Sequence, residues 1–174
     1  MRRFLAAAAT AALLLASVGA MTASANNDPH RTFLPAGSFD LVGACVFTVH
    51  FDFLTDNEYG TFSTLPNGST VVKVTGSVTV RLSNAENGKW LVVNAGGPSM
   101  ITYAPDGLTW NTVYEGRSLL FSSNLTDFGF PSNLVATSGL LTATGEAANN
   151  WAGTTMTSWG KMPHVMVDVC AALS

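Results

Sequence analysis

The chain has 174 residues, of which 47% are hydrophobic and only 11% are charged. This composition excludes an intrinsically disordered protein, which combines low hydrophobicity with high charge. The 8 basic residues form no strongly basic run, so the electrostatic basis for nucleic-acid binding is missing, and we expect no nucleic-acid partner.

The first 25 residues have the order of a secretory signal peptide. Arg2 and Arg3 give a positive start, an apolar run follows over residues 4–16, and residues 23–25 read Ala-Ser-Ala. This order predicts cleavage before Asn26. The apolar run is shorter than the ~20 residues of a membrane span. We therefore expect a secreted, extracellular protein without membrane insertion after signal removal, exported by either the Sec or the twin-arginine route.

The remaining residues, 26–174, are predicted to form a single all-β domain. About 149 residues is the usual size of one domain. Without the two arginines of the signal, six basic residues remain against 11 acidic ones, so the net charge is about −5. This charge gives the secreted protein no attraction to anionic membranes.

Two cysteines, Cys45 and Cys170, lie near the two ends of this domain. In an oxidising compartment an isolated pair of cysteines usually forms a disulfide. The alternative, two thiolates that bind a metal ion or act in catalysis, lacks a nearby partner motif. We therefore predict a Cys45–Cys170 disulfide that ties the first strand to the last, and we expect no metal site.

Alternation of apolar and polar residues predicts β-strands along the domain. The clearest alternation runs over residues 45–53 and residues 72–82. The second segment would extend about 40 Å at ~3.3 Å per residue, and a strand this long must bend. Gly76 is the predicted place of the bend. Further strands are predicted over residues 59–65, 90–95, 100–104, 108–121, 139–144, 154–159 and 165–171.

These segments predict a single-domain antiparallel meander of about eight or nine strands, because turn-forming residues make the connections short. No helix is expected, and residues 122–138 are predicted to form a long loop. A meander of this size forms either a closed barrel or a two-layer sandwich. The predicted disulfide favours the closed barrel, because a barrel places its first and last strands side by side.

One detail conflicts with direct pairing of the two cysteines across adjacent strands. The apolar face of the last strand contains Val165, Val167 and Val169, which turns Cys170 toward the opposite face. Cys45 lies on the apolar face of its own strand. Either a β-bulge intervenes, or Cys170 lies beyond the regular part of its strand.

Several short motifs resemble those of a known group of proteins. They lie at residues 43–47, 64–68, 74–76, 96–98, 105–107 and 169–173. Together they resemble a group of small secreted actinobacterial proteins with a two-cysteine frame, and the similarity covers nearly the whole domain. Each motif is a turn or a disulfide anchor. The resemblance therefore implies secretion and the two-cysteine frame, and it carries no activity, cofactor or site residue.

His50, Asp52 and His164 are the candidate catalytic residues. His50 and Asp52, two positions apart, share a strand face at a separation of about 7 Å, which suits an acid/base pair or two metal ligands. His164 on the last strand is the candidate third group, but its convergence with His50 requires a bulge. The alternative is that all three are polar residues on a solvated sheet face, and this simpler interpretation is preferred.

Other signatures of catalysis are sparse. The sequence contains no Gly-x-Ser-x-Gly elbow, no His-Glu-x-x-His motif and no phosphate-binding glycine loop, so we expect no cofactor. Glu58, Glu115 and Glu146 are candidate carboxylates for glycoside hydrolysis, a reaction that needs two carboxyl groups at a defined separation. These observations do not decide whether the protein is an enzyme, but they favour a protein without enzymatic activity.

Aromatic residues are the candidate ligand contacts. Trp90, Trp151 and Tyr103 are expected to contact a small apolar or sugar-like ligand if they are exposed at the mouth of the sheet structure. Trp110 and Tyr114 share a strand face with Leu108, which is typical of a core. Packing in the core or at its rim is the alternative role for all the aromatics.

Three function classes follow. The leading interpretation is a secreted binding module for a small-molecule or carbohydrate ligand. The first alternative is a small barrel-type enzyme, such as an isomerase, cyclase or hydrolase that uses His50 and Asp52. The second is a structural or envelope-associated protein without a ligand. The sequence sets no oligomeric state, and fold class alone does not separate these functions.

Overall fold

A computed structural model describes residues 31–147 and 154–174 of the chain. The predicted signal peptide, residues 1–25, and the candidate ligand contact Trp151 lie outside these residues. Within them, no helix has both the length and the apolar character needed to cross a membrane.

The described chain consists mainly of antiparallel β-strands, as the alternation predicts. In chain order the strands are β1 (Thr32–Phe33), β2 (Phe39–Leu41), β3 (Val49–Asp56), β4 (Tyr59–Thr64), β5 (Thr70–Thr75), β6 (Val78–Asn84), β7 (Trp90–Asn94), β8 (Ser99–Tyr103), β9 (Thr109–Tyr114), β10 (Arg117–Phe121), β11 (Leu134–Ser138), β12 (Leu141–Ala147), β13 (Thr154–Lys161) and β14 (His164–Asp168).

Two short helices accompany these strands, so the expectation of no helix is wrong. A 3₁₀ helix (Leu125–Phe128) lies between β10 and β11, and an α-helix, α1 (Val169–Leu173), follows β14. Asp168 begins α1, because its side chain accepts a hydrogen bond from the Ala171 backbone N–H at 3.2 Å. A capping aspartate satisfies a backbone donor that an α-helix otherwise leaves without a partner.

The strands form three open sheets. One has seven strands in the order β1-β4-β5-β8-β9-β12-β13, one has four in the order β2-β3-β6-β7, and one has three in the order β10-β11-β14. Strands β7 and β10 are in contact but share no ladder, so the hydrogen bonding does not continue around the described strands. The prediction of a closed barrel is therefore wrong, and the alternative of a two-layer sandwich fits the strands better.

Long predicted strands divide where the chain passes from one sheet to another. Residues 72–82 form parts of β5 and β6, which separate at Gly76. Gly76 has a φ of +143°, and a Cβ atom there would lie 2.1 Å from the carbonyl oxygen of Asn57. Only glycine fits this position, so the predicted bend is confirmed. Residues 108–121 divide in the same way into β9 and β10. The other additional strands, β1, β2 and β11, lie in segments for which no strand was predicted, and β11 lies within the predicted loop.

The main hydrophobic core fills the space between the four-stranded and three-stranded sheets. Phe51 of β3 pairs with Leu82 of β6, and the two side chains are 1% and 0% exposed, as the alternation predicts. Phe39 of β2 stacks on Phe51 with ring centroids 4.5 Å apart. Leu134 of β11 and Leu173 of α1 contribute from the other sheet. Removal of this apolar surface from water is the main force that holds the two sheets together.

A second core covers one half of the inner face of the seven-stranded sheet. The predicted loop, residues 122–138, contains the 3₁₀ helix and β11. From it, Leu125 and Phe130 pack in one cluster with Trp110 of β9 and Met156 of β13. The burial of Trp110 agrees with its predicted core position. The other half of this face, over β4, β5 and β8, is left open and forms a pocket.

Cys45 and Cys170 form the predicted disulfide, with their Cα atoms 5.4 Å apart. Cys45 lies in the connection between β2 and β3, and Cys170 lies in α1, beyond the last residue of β14. Of the two explanations offered for the orientation of Cys170, a β-bulge or a position beyond the regular part of its strand, the second is therefore correct. The bond joins a loop of the four-stranded sheet to the helix that follows the three-stranded sheet.

Candidate functional site

The predicted catalytic residues His50 and Asp52 lie on the outer face of β3, away from the main core. His50 Nδ1 is 2.6 Å from the Asp40 carboxylate of β2, and the Arg81 guanidinium of β6 donates a hydrogen bond to Asp52 at 2.5 Å. Each candidate is therefore engaged in a cross-strand pair on an open sheet face. Exposed pairs of this kind add little stability, and their positions agree with the interpretation as a solvated polar face.

His164 lies apart from these two residues. It is an exposed residue of β14 in the three-stranded sheet, whereas His50 belongs to the sheet on the other side of the main core. A bulge between Ala136 and Thr137 of β11 shifts the register of β14 but leaves the two outer faces apart. In the part of the chain that the structure describes, no group of three His, Cys, Asp or Glu side chains is placed to hold a metal ion.

The predicted ligand-contacting aromatics occupy different places. Trp90 of β7 is 65% exposed on the outer face of the four-stranded sheet, where it pairs with Ser83. Tyr103, the last residue of β8, lines the pocket on the seven-stranded sheet. Trp151 lies outside the described residues. Tyr103 is therefore the predicted aromatic from which a candidate site is built.

The pocket has a volume of about 520 Å³ and a largely aliphatic lining. Its floor is formed by paired strands: Val72 of β5 lies opposite Ile101 of β8, and Phe62 of β4 lies opposite Val72. Leu34 and Pro35, from the connection between β1 and β2, form a second wall. The apolar floor follows from the register, since residues paired across antiparallel strands face the same side of the sheet.

The same register brings polar side chains into this apolar space. Tyr114 of β9 pairs with Ser99 of β8, and Tyr103 pairs with Thr70 of β5. All four line the pocket, together with Glu58, which immediately precedes β4. The pocket therefore combines aliphatic surface with hydroxyl groups and one carboxyl group.

Burial controls the ionisation of these groups. Loss of solvent and then the neighbouring Asp56 carboxylate raise the pKa of Glu58, and burial raises the pKa of Tyr103. Burial raises the pKa of Tyr114 to about 12. A hydrogen bond with Thr112 lowers that pKa in part, whereas Tyr103 and Glu58 raise it. Both phenols are therefore protonated at neutral pH.

Main-chain hydrogen bonds hold the second wall of the pocket in place. The Leu34 N–H donates to the carbonyl oxygen of Glu58 at 2.9 Å, and the Ala36 N–H donates to Asp56 Oδ2 at 2.6 Å. The other carboxylate oxygen of Asp56 accepts a hydrogen bond from the Glu58 N–H at 3.2 Å. Asp56 therefore fixes both the wall and the backbone of Glu58.

Glu58 and Tyr114 were not predicted from the sequence to line a ligand pocket. Tyr114 shares a strand face with Trp110, and that pattern predicted a core position for both; Trp110 lies in the second core, and Tyr114 packs against it at the edge of the pocket. Glu58 was considered only as a carboxylate for glycoside hydrolysis. The sequence contained one signal that Glu58 faces the pocket. Glu58 lies an even number of positions from Gly60 and Phe62, which face inward on β4, and such residues share one face of a strand.

Comparison of the chain with protein-family models, with curated proteins and with solved structures gave no match. The functional assignment therefore depends on the geometry and chemistry of the pocket.

Replacement of Glu58 by glutamine is expected to remove a pH-dependent loss of stability. An acid whose pKa is raised by folding binds more protons in the folded state, so its contribution to stability is full below the unfolded pKa and is lost as the pH rises through the folded pKa. The free energy of unfolding of the parent protein should therefore fall, relative to that of E58Q, as the pH rises from 4.5 through the raised pKa of Glu58. Urea unfolding at several pH values measures this difference. Parallel pH profiles for the two proteins would show that folding leaves the pKa of Glu58 unchanged.

Proposed function

We propose that this protein is exported and binds a small molecule with an apolar body in the pocket of the seven-stranded sheet. The observation that carries the proposal is the pocket itself, which combines a volume of about 520 Å³ with an aliphatic floor and a few polar groups. Ligand sites in proteins typically have this size and this mixture of surfaces, because apolar contact supplies affinity and the polar groups fix orientation.

The lining supports an apolar ligand rather than a sugar-like one. Val72, Ile101 and Leu34 offer only hydrocarbon surface, whereas a sugar needs hydrogen-bond partners around most of its ring. The hydroxyl and carboxyl groups come from Glu58, Tyr103 and their neighbours. A ligand with a hydrocarbon body and one polar end matches the aliphatic surface and offers a hydrogen-bond partner to part of this polar lining.

A bulky side chain placed in the pocket should abolish binding. Ser99 of β8 faces the pocket, whereas Thr102 of the same strand has the opposite parity and pairs with Asn111 and Val71 on the other face. We expect Ser99→Phe to weaken binding of the neutral fluorescent probe N-phenyl-1-naphthylamine by at least about tenfold. Thr102→Phe, the matched control, should leave the affinity nearly unchanged.

Fluorescence titration of the parent protein and the two variants makes this test. Saturable binding that is lost in Ser99→Phe and kept in Thr102→Phe supports the proposal. Equal binding by the two variants would place the probe elsewhere on the protein. No saturable binding by the parent, with N-phenyl-1-naphthylamine or with the neutral alcohol 1-adamantanol, would overturn the proposed function.

A further inference from the structure

The ionisable side chains that line the pocket are acidic or phenolic. Glu58 provides a carboxyl group and Tyr103 and Tyr114 provide phenols, and among the described lining residues there is no lysine, arginine or histidine. A second carboxylate, that of Asp56, lies close enough to raise the pKa of Glu58. Asp106, exposed in the turn between β8 and β9, adds a negative charge near the rim, where its neighbours Pro105 and Gly107 line the pocket.

The positive side chains of the neighbouring strands belong to the other face of the sheet. The Arg31 guanidinium lies 4.3 Å from the centroid of the Tyr59 ring and donates a hydrogen bond to Thr75. Tyr59 and Thr75 pair at a position whose side chains point away from the pocket. Lys73 of β5 has the same outward parity as Thr75. These cations therefore leave the carboxyl group in the pocket uncompensated.

Aromatic rings line the same space. Phe62, Tyr103 and Tyr114 are all part of the pocket lining. The face of an aromatic ring is electron-rich and attracts a cation, most strongly where water is excluded. A carboxylate in a pocket that such rings line is a combination that favours an ammonium group over a neutral or negative one.

We propose that the pocket selects hydrophobic amines, whose apolar body lies on the aliphatic floor while the ammonium group pairs with the Glu58 carboxylate near Tyr114. This proposal rests on the proposed function, because it names the ligand class of the same pocket. A neutral alcohol of equal shape makes the apolar contacts without the charge pair. A carboxylate ligand places a like charge beside Glu58 and is the least favoured of the three.

Amine binding is expected to depend on pH through Glu58. In the free protein, burial and Asp56 raise the pKa of Glu58, whereas an adjacent ammonium group favours the ionised form. Binding therefore releases a proton from the protonated fraction of Glu58, and the affinity for an amine rises with pH until Glu58 is fully ionised. Tyr103 and Tyr114 stay protonated over this range, because burial raises the pKa of each phenol.

Three probes with one apolar body separate charge from shape. 1-Adamantylamine, 1-adamantanol and adamantane-1-carboxylate differ only in the polar group, and displacement of N-phenyl-1-naphthylamine at pH 7 measures the affinity of each. We expect the amine to bind at least about tenfold more tightly than the alcohol, and the carboxylate to bind more weakly than the alcohol. Glu58→Gln should remove the advantage of the amine and leave the affinity for the alcohol within about twofold.

A matched variant controls for the net negative charge of the protein. Glu86 is exposed in the turn between β6 and β7, outside the pocket lining, so Glu86→Gln removes one negative charge without touching the site. Its probe affinities should equal those of the parent. An equal loss of amine affinity in Glu86→Gln and Glu58→Gln would mean that general attraction to an acidic protein, rather than a pocket pair, binds the amine.

The outcomes distinguish this inference from the proposed function. If the alcohol and the amine bind equally and Ser99→Phe removes both, the pocket binds apolar ligands but the selectivity for amines is refuted. If the amine binds more tightly only in proteins that retain Glu58, and more tightly as the pH rises toward 7, the inference is supported. If none of the three adamantane probes displaces a fluorescent probe whose binding Ser99→Phe removes, the inference fails while the proposed pocket stands.

Discussion

Replacement of Cys45 and Cys170 by alanine is expected to lower the free energy of unfolding by about 4–5 kcal/mol. The disulfide joins residues with a sequence separation of 125. A cross-link over a loop of this length removes much of the conformational entropy of the unfolded chain, which stabilises the folded state in comparison. Alanine is preferred to serine, because both cysteines pack against the main core, where a new hydroxyl group needs a hydrogen-bond partner.

Urea unfolding of the oxidised parent, the reduced parent and the double alanine variant measures this effect. The reduced parent controls for the loss of the two sulfur atoms, because it keeps them and lacks only the bond. We expect the two proteins without the bond to unfold at similar, lower urea concentrations. A stability difference below about 1 kcal/mol between the oxidised and reduced parent would mean that the unfolded chain gains little freedom when the bond is broken.

The faces of the strands were predictable because alternation is a local property. In β3 and β6 it predicted which side chains are buried, and Phe51 and Leu82 are almost inaccessible to solvent. The bend at Gly76 was also local, since a strand predicted to extend over residues 72–82 was too long to remain straight. Where one residue and its neighbours decide the outcome, the sequence was sufficient.

The division into three sheets was not predictable, because it depends on contacts between distant strands. A Cβ atom at Gly76 would meet the Asn57 carbonyl oxygen, and one at Gly97 would lie 2.4 Å from the carbonyl oxygen of Glu115. The points at which neighbouring strands pass from one sheet to another therefore pack against one another. The closed barrel was favoured on the assumption that the disulfide joins two paired strands, whereas Cys170 belongs to a helix.

The candidate site was predictable only in part for the same reason. Tyr103 was a candidate because an aromatic residue exposed at the mouth of the sheet structure can contact a ligand. That Tyr103, Tyr114 and Glu58 line one pocket depends on the register of β8 with β9 and on the path of the N-terminal segment along β4. His50 and Asp52 have a spacing that suits catalysis, but the parity that buries Phe51 directs both of them to the outer face.

Replacement of Gly76 by alanine is expected to destabilise the protein by at least about 3 kcal/mol, because two costs coincide. A φ of +143° is unfavourable for a residue with a Cβ atom, and the Cβ would also lie 2.1 Å from the Asn57 carbonyl oxygen and 2.8 Å from the Glu58 Cα atom. Relief of this overlap requires the backbone before β4 to move away from β5. That movement displaces Glu58, so the affinity of the pocket for 1-adamantylamine should fall together with stability.

Gly88→Ala is the matched control, because it separates the two costs. Gly88 has a φ of +73°, and a Cβ atom there would meet no atom within 4 Å. Its replacement therefore carries only the backbone cost, which we expect to be about 1–2 kcal/mol, and leaves probe affinity unchanged. Urea unfolding and probe titration of both variants measure the difference, which isolates the contact between Gly76 and the backbone of Asn57 and Glu58. Equal losses of stability in the two variants would show that a side chain is tolerated where Gly76 packs against the backbone of Asn57 and Glu58. The division between β5 and β6 would then have another cause.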